Sequence, residues 1–146
     1  MSLAQNKKAL FEYEILEKLE AGLVLSGQEV KSAKLGQISL NGSYVTFHNN
    51  QAYVLNMHIN QYKPAGRLPA YDPTQTRQLL LHKKQIAYLK GKSMEKGLTI
   101  IPLHVYTKGR IVKVEIGVGR GKKLYDKRES VKKRDLKREL DRARKN

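Results

Sequence analysis

Hydrophobic and polar residues alternate with a period of two along several stretches of the chain, and that period predicts strands. Phe11, Tyr13 and Ile15 alternate with Glu12 and Glu14, apolar Leu16 follows, and a half-buried first strand is expected to end before Ala21-Gly22. Ser43–His48 and Gln51–Met57 are rich in β-branched and aromatic residues. Asn49-Asn50 between them suits the positive φ angles of a two-residue hairpin turn. Leu98–Thr107 and Arg110–Val118 read as a further pair across Lys108-Gly109, with Pro102 marking an edge or bulge.

Helical signals are fewer. Ser26-Gly-Gln-Glu29 has capping-box spacing, and Gly36 supplies a left-handed stop after Lys34-Leu35. Leu79, Leu80 and Leu81 lead into Ile86 and Leu89 at helical spacing, which predicts a second helix near 79–92, its stop bracketed by Gly91 and Gly97. Tyr62–Thr76 holds Pro64, Pro69, Pro73 and Gly66, so a long loop is expected. Antiparallel strands interrupted by short helices predict a mainly β fold: a closed antiparallel barrel of the oligonucleotide-binding kind with two or three short flanking helices. An open α+β sandwich is the alternative.

Charge divides the chain. The net charge is +16 over 146 residues, yet residues 1–60 carry five basic and five acidic side chains. Residues 61–119 carry eleven basic and three acidic groups, and residues 120–146 carry thirteen and five. This predicts a folded body over 1–119 and a basic tail over 120–146, too poor in apolar groups to fold alone. Asp126 and Glu129 have cap spacing, and Glu129–Lys133 and Asp141–Lys145 are favourable i,i+4 pairs, so the tail should become helical once phosphates neutralise it. So basic a chain points to a nucleic-acid partner, and self-repulsion favours a monomer. There is no cysteine, no apolar run of membrane-spanning length and no apolar leader stretch in the N-terminal MSLAQNKKAL, so a cytoplasmic protein with no membrane association is expected.

Catalysis finds little support. Gly91-Lys92-Ser93 and Gly121-Lys122-Lys123 lack the upstream glycine of a phosphate-cradling loop, where Ile86 and Ile116 stand instead. His48, His58, His82 and His104 are too widely spaced for a local metal motif. Glu12 and Glu14 would share a strand face, an ordinary exposed arrangement, and no Gly-x-Ser-x-Gly elbow occurs. Neither an enzyme nor a cofactor is expected. Eight tyrosines and two phenylalanines interleaved with lysine and arginine could stack on bases, although most should serve packing. Tyr125 is the tail's only aromatic residue, flanked by Lys122-Lys123 and Lys127-Arg128.

Four segments together resemble the small protein B family, bacterial partners of transfer-messenger RNA. They are Asn6-Lys7-Lys8-Ala9, Glu20 to Ser32, Asp72 to His82, and Gly121 to Glu129, in order along nearly the whole chain. The resemblance implies an adaptor that grips the tRNA-like domain of transfer-messenger RNA and delivers it to stalled ribosomes for rescue and peptide tagging. The tail would enter the small-subunit decoding site and the empty messenger channel. By resemblance, Asn6, Glu20 and Leu80 matter for RNA binding: Asn6 by hydrogen bonding, Leu80 by packing on an unstacked base, Glu20 by ordering a basic neighbour. Lys7, Lys31, Arg77 and Lys83 are the expected phosphate contacts. In the decoding site Tyr125 would stack, seated by Lys122, Lys123, Asp126, Lys127 and Arg128. Gln75 and Gln78 stand where the family commonly carries basic residues, which removes two charges from that loop. A small basic structural protein of the ribosome is the competing reading.

Overall fold

Residues 2–62 and 70–122 are described by the computed structural model, and they form nine strands and three helices. In chain order these are β1 (Ser2–Gln5), α1 (Lys7–Glu12), β2 (Tyr13–Leu23), α2 (Gly27–Lys34), β3 (Ile38–Ser39) and β4 (Tyr44–His48). There follow β5 (Gln51–Leu55), β6 (His58–Ile59), β7 (Arg77–Leu80), α3 (Lys83–Ser93), β8 (Leu98–Lys108) and β9 (Ile111–Gly121). Seven strands form one antiparallel sheet in the order β1-β8-β9-β2-β7-β5-β4, and β3 pairs with β6 separately. The mainly β fold with flanking helices agrees with the sequence. No hydrogen-bonded ladder joins the end strands β1 and β4 among the described residues.

The core lies against one face of this sheet. Val112, Val114, Ile116 and Val118 of β9 point into it at every second position, meeting Ile100, Val105, Val54 and Leu79. Ile86 and Leu89 of α3 close it from the side. A bulge between Ile15 and Glu17 changes the facing of β2. Ile15 therefore packs in a second cluster with Ala9, Ile101 and Leu103 beneath α1, while Leu19 packs against the main core. Another bulge falls between Pro102 and His104, and Pro102 lies beyond the residues of β8 in register with β1.

The hairpin turn is as expected, with Asn49 and Asn50 at φ 51° and 61°. The Ser26–Glu29 capping box is also formed: the Glu29 N–H donates to Ser26 Oγ at 3.2 Å and the Ser26 N–H to Glu29 Oε1 at 3.0 Å. Three boundaries differ. Phe11 and Glu12 end a short helix, so the first strand begins at Tyr13, and it continues through Ala21-Gly22 to Leu23. Glu12 and Glu14 thus do not share a strand face. Leu79 and Leu80 belong to β7 because Leu79 pairs with Leu23 on one side and Ala52 on the other, so ladder bonds override their helical spacing. The last turn lies at Gly109-Arg110, one residue later than expected, with Gly109 at φ 64°.

Strand β9 runs two residues past position 119, and the Lys122 N–H donates to the Glu12 carbonyl at 2.9 Å. Expectations for Lys123, Tyr125, Asp126, Lys127 and Arg128 lie outside the described residues, as do those for Pro64, Gly66 and Pro69.

Candidate nucleic-acid interface

The register of β2, β8 and β9 assembles a polar site on the sheet face turned away from the core. Gly22 pairs with Lys113 and Glu20 with Glu115, while Tyr106 pairs with Lys113 from the other side. The Tyr106 hydroxyl donates to Glu20 Oε2, and Lys108 Nζ lies 3.6 Å from Glu20 Oε1. The Tyr106 hydrogen bond holds the Glu20 carboxyl below its ordinary value, opposed by burial and helped by Lys108 and Lys113. Burial and the bond to Glu20 push the Tyr106 hydroxyl up to about 12. The Tyr106 and His104 rings lie 5.1 Å apart at a 38° tilt, and His104 Nε2 is 2.7 Å from Ser2 Oγ.

Beside this cluster runs a groove of about 410 Å³ lined by Glu20, Gly22, Leu80, Leu81, His82, Gln85 and Lys113. Leu80 is 57% exposed, an uncommon state for a strand leucine flanked by core residues. A Cβ at position 22 would come 3.1 Å from Leu80 Cβ, so glycine is what lets the leucine stand over this strand. An apolar prong beside a lysine and a carboxylate already paired within the protein suits an unstacked base or ribose with its phosphate.

Glu20 and Leu80 therefore line one groove, and the basic neighbour nearest the Glu20 carboxylate is Lys108. Asn6 is placed differently. It is 2% exposed, its Nδ2 donates to Pro102 O at 2.9 Å and Leu40 O at 3.3 Å, and its Oδ1 accepts from the Ala9 N–H as the cap of α1. Its hydrogen-bonding groups face the interior. Lys7 is exposed on the first turn of α1, Lys83 is exposed at the start of α3, and Lys31 Nζ lies 5.6 Å over the Tyr62 ring.

Arg77 does not fit the phosphate role expected for it. It is 3% exposed, and its guanidinium donates to Glu29 Oε2 at 2.7 Å, Met57 O at 2.5 Å and Pro73 O at 2.9 Å. Burial pushes the Glu29 carboxyl up, but hydrogen bonds from the Ser26 N–H, Arg77 and Gln75 outweigh it and leave the group below its usual value. Gln75 donates to the same Glu29 oxygen at 3.1 Å, so this position serves the buried pair.

Tyr106, Lys108, Lys113 and His104 are not among the binding residues expected from the sequence. The available signal was the alternation of Lys113 and Glu115 with Val112, Val114 and Ile116, which marks a strand with one exposed face. Among the described residues no cluster of three or more His, Asp or Glu side chains could hold a metal ion, and no helix is long and apolar enough to cross a membrane.

Comparison with known proteins gives a consistent picture. The family model described as SmpB protein matches residues 3–146. An SsrA-binding protein of Leuconostoc mesenteroides is 51% identical over 144 residues, covering 99% of this chain and 93% of the relative. One from Oleidesulfovibrio alaskensis is 51% identical over 140 residues, covering 96% and 90%. A solved chain described as "tmRNA-SmpB: a journey to the center of the bacterial ribosome" is similar with a TM-score of 0.71 and 41% identity, over 87% of this chain and 92% of that one.

Proposed function

The chain belongs to the SmpB protein family, and from that premise we propose that it binds transfer-messenger RNA and brings it to stalled bacterial ribosomes as an adaptor with no catalytic group of its own. The observation that carries this reading is the match to SsrA-binding proteins over 99% of the chain, which includes both the described body and the basic tail. A structural ribosomal protein would share the charge but not this match. The adaptor acts in the cytoplasm, where stalled ribosomes are.

In this reading the Glu20–Leu80 groove receives the tRNA-like domain. Leu80 packs on a base, Glu20 holds Tyr106 and Lys108 in place, and Lys7, Lys31 and Lys83 contact phosphates. Asn6 contributes from inside, by fixing α1 and with it the cation at position 7. The body through the end of β9 is a barrel of the oligonucleotide-binding kind, closed by packing of β4 near β8 in place of a ladder. The tail beyond β9 enters the decoding site, where Lys122, Lys123, Tyr125, Asp126, Lys127 and Arg128 seat it.

The test is to purify the tagged protein from its own cells at moderate salt and sequence the RNA that accompanies it. One abundant RNA with a tRNA-like acceptor end is expected. Stoichiometric ribosomal RNA without that species would replace the adaptor with a ribosomal structural protein.

A further inference from the structure

The first turn of α3 separates two grooves. His82 and Gln85 line the Leu80 groove, while Lys83 and Ile86 line a second one of about 550 Å³ together with Asn50, Ala87, Lys90, Gly91 and Met94. Lys83, Ala87, Lys90 and Met94 follow one another at helical spacing on one face, and Asn50 of the β4–β5 turn stands opposite them. At 1.5 Å rise per residue, Lys83 and Lys90 are about 10 Å apart along the axis.

Two features of this groove call for a partner. Met94 is 76% exposed, the most exposed large apolar side chain among the described residues. The segment from Lys83 to Lys96 carries five lysines against the single acid Glu95, which is itself 3.5 Å from Lys92. An apolar floor with two cations along its wall, and no acid facing in, is complementary to a phosphodiester strand whose riboses or bases pack on Ala87, Ile86 and Met94. Continuity decides which strand: the groove begins on the helical turn that bounds the Leu80 groove.

Resting on the adaptor reading above, we infer that the RNA held in the Leu80 groove continues over the first turn of α3 into this second groove, where Lys83 and Lys90 bind its phosphates and Met94 packs against it. The footprint of transfer-messenger RNA on this protein then includes the length of α3. An acidic protein segment is the other occupant with suitable charge, and it lacks the continuity argument.

The chain has no cysteine, so Met94→Cys in the full-length protein gives a unique attachment point for a photo-crosslinker at an exposed position. With purified transfer-messenger RNA, illumination should yield a protein–RNA adduct, and adding Lys83→Glu and Lys90→Glu should abolish it. Independently, Lys83→Ala with Lys90→Ala should flatten the salt dependence. Losing two phosphate contacts reduces the ratio of Kd at 200 mM to Kd at 50 mM salt by about seven- to twelvefold. A labelled protein that binds the RNA with wild-type affinity but forms no adduct overturns the inference and leaves the adaptor reading intact, as does an adduct formed only with a ribosomal protein on stalled ribosomes. Failure of the unlabelled wild type to bind the RNA removes both.

Discussion

Arg77 Nε lies 2.7 Å from Glu29 Oε2 and ties β7 to α2 across 48 positions of sequence, with both residues 3% exposed. The pair also gathers Tyr71, whose hydroxyl donates to the Ile59 carbonyl at 2.8 Å, and Pro73, whose carbonyl accepts from Arg77. The segment leading into β7 is thus fastened to the body by the buried ion pair together with the bonds that Tyr71 and Pro73 make to Ile59. Removing that guanidinium leaves a buried carboxylate without its cation. Arg77→Ala should therefore cost about 3–5 kcal/mol in denaturant unfolding. Glu29→Gln combined with Arg77→Ala should lose less than the sum of the single changes. Additive losses would mean that the two groups do not interact.

The same carboxylate sets a pH dependence. Glu29 is held below its ordinary value of 4.5 in the folded protein, so its stabilising contribution is complete above that value and is lost as pH falls through the lower, folded one. Wild-type Tm should decline below about pH 4.5 more steeply than that of Glu29→Gln. Parallel acid profiles for the two proteins would show that the carboxylate contributes nothing to acid stability.

Leu80 tests the groove without testing the fold. Its side chain is exposed and the core residue Leu79 lies beside it, so Leu80→Ala should leave Tm nearly unchanged. Binding of transfer-messenger RNA should weaken by about 1 kcal/mol, roughly fivefold. Tyr106→Phe should also weaken binding, because Glu20 loses the hydrogen bond that fixes it beside Lys108, and loss of that bond should raise the Glu20 pKa in a carboxylate titration. An unshifted Glu20 in Tyr106→Phe would remove the hydroxyl as its organiser.

Asn6 should act on RNA only through α1. Asn6→Ala removes a helix cap and the side-chain donor to the Pro102 and Leu40 carbonyls, the latter still accepting from Ser43, at a cost of about 1–3 kcal/mol in stability. RNA affinity should fall as well. Lys7→Ala should then weaken binding in the wild type but add little in the Asn6→Ala background. If the two effects on affinity add in full, Asn6 does not work by placing Lys7.

What the sequence made legible was local. The Asn49-Asn50 turn, the Ser26–Glu29 cap and the Pro102 bulge each follow from residues within a few positions of one another, and each is present. Long-range relationships were not legible. Three leucines in a row suit a helix or a buried strand equally, and the choice rested on Ala52 and Leu23, which flank Leu79 in the sheet. Arg77 reads as a phosphate contact until Glu29 is found beside it. Glu20 and Tyr106 meet only because β2 and β8 flank β9, a fact of strand order that no short window encodes.

Strand order also determines where the tail can be cut. A division after position 119 would take Arg120, which pairs with Glu14 and Leu98, and Gly121, which pairs with Tyr13. It would also take the Lys122 N–H that donates to the Glu12 carbonyl at the end of α1. A chain ending at Lys122 keeps all of these bonds, so it should retain wild-type Tm and RNA affinity while losing peptide tagging on stalled ribosomes. A chain ending at Gly119 should lose stability as well, by loosening the contact between β2, β9 and α1 that positions Lys7. Comparing the two truncations separates the tail's work on the ribosome from the body's work on RNA. If the chain ending at Lys122 binds RNA as poorly as the shorter one, the tail itself holds the RNA, and the division between a gripping body and a ribosome-reading tail fails.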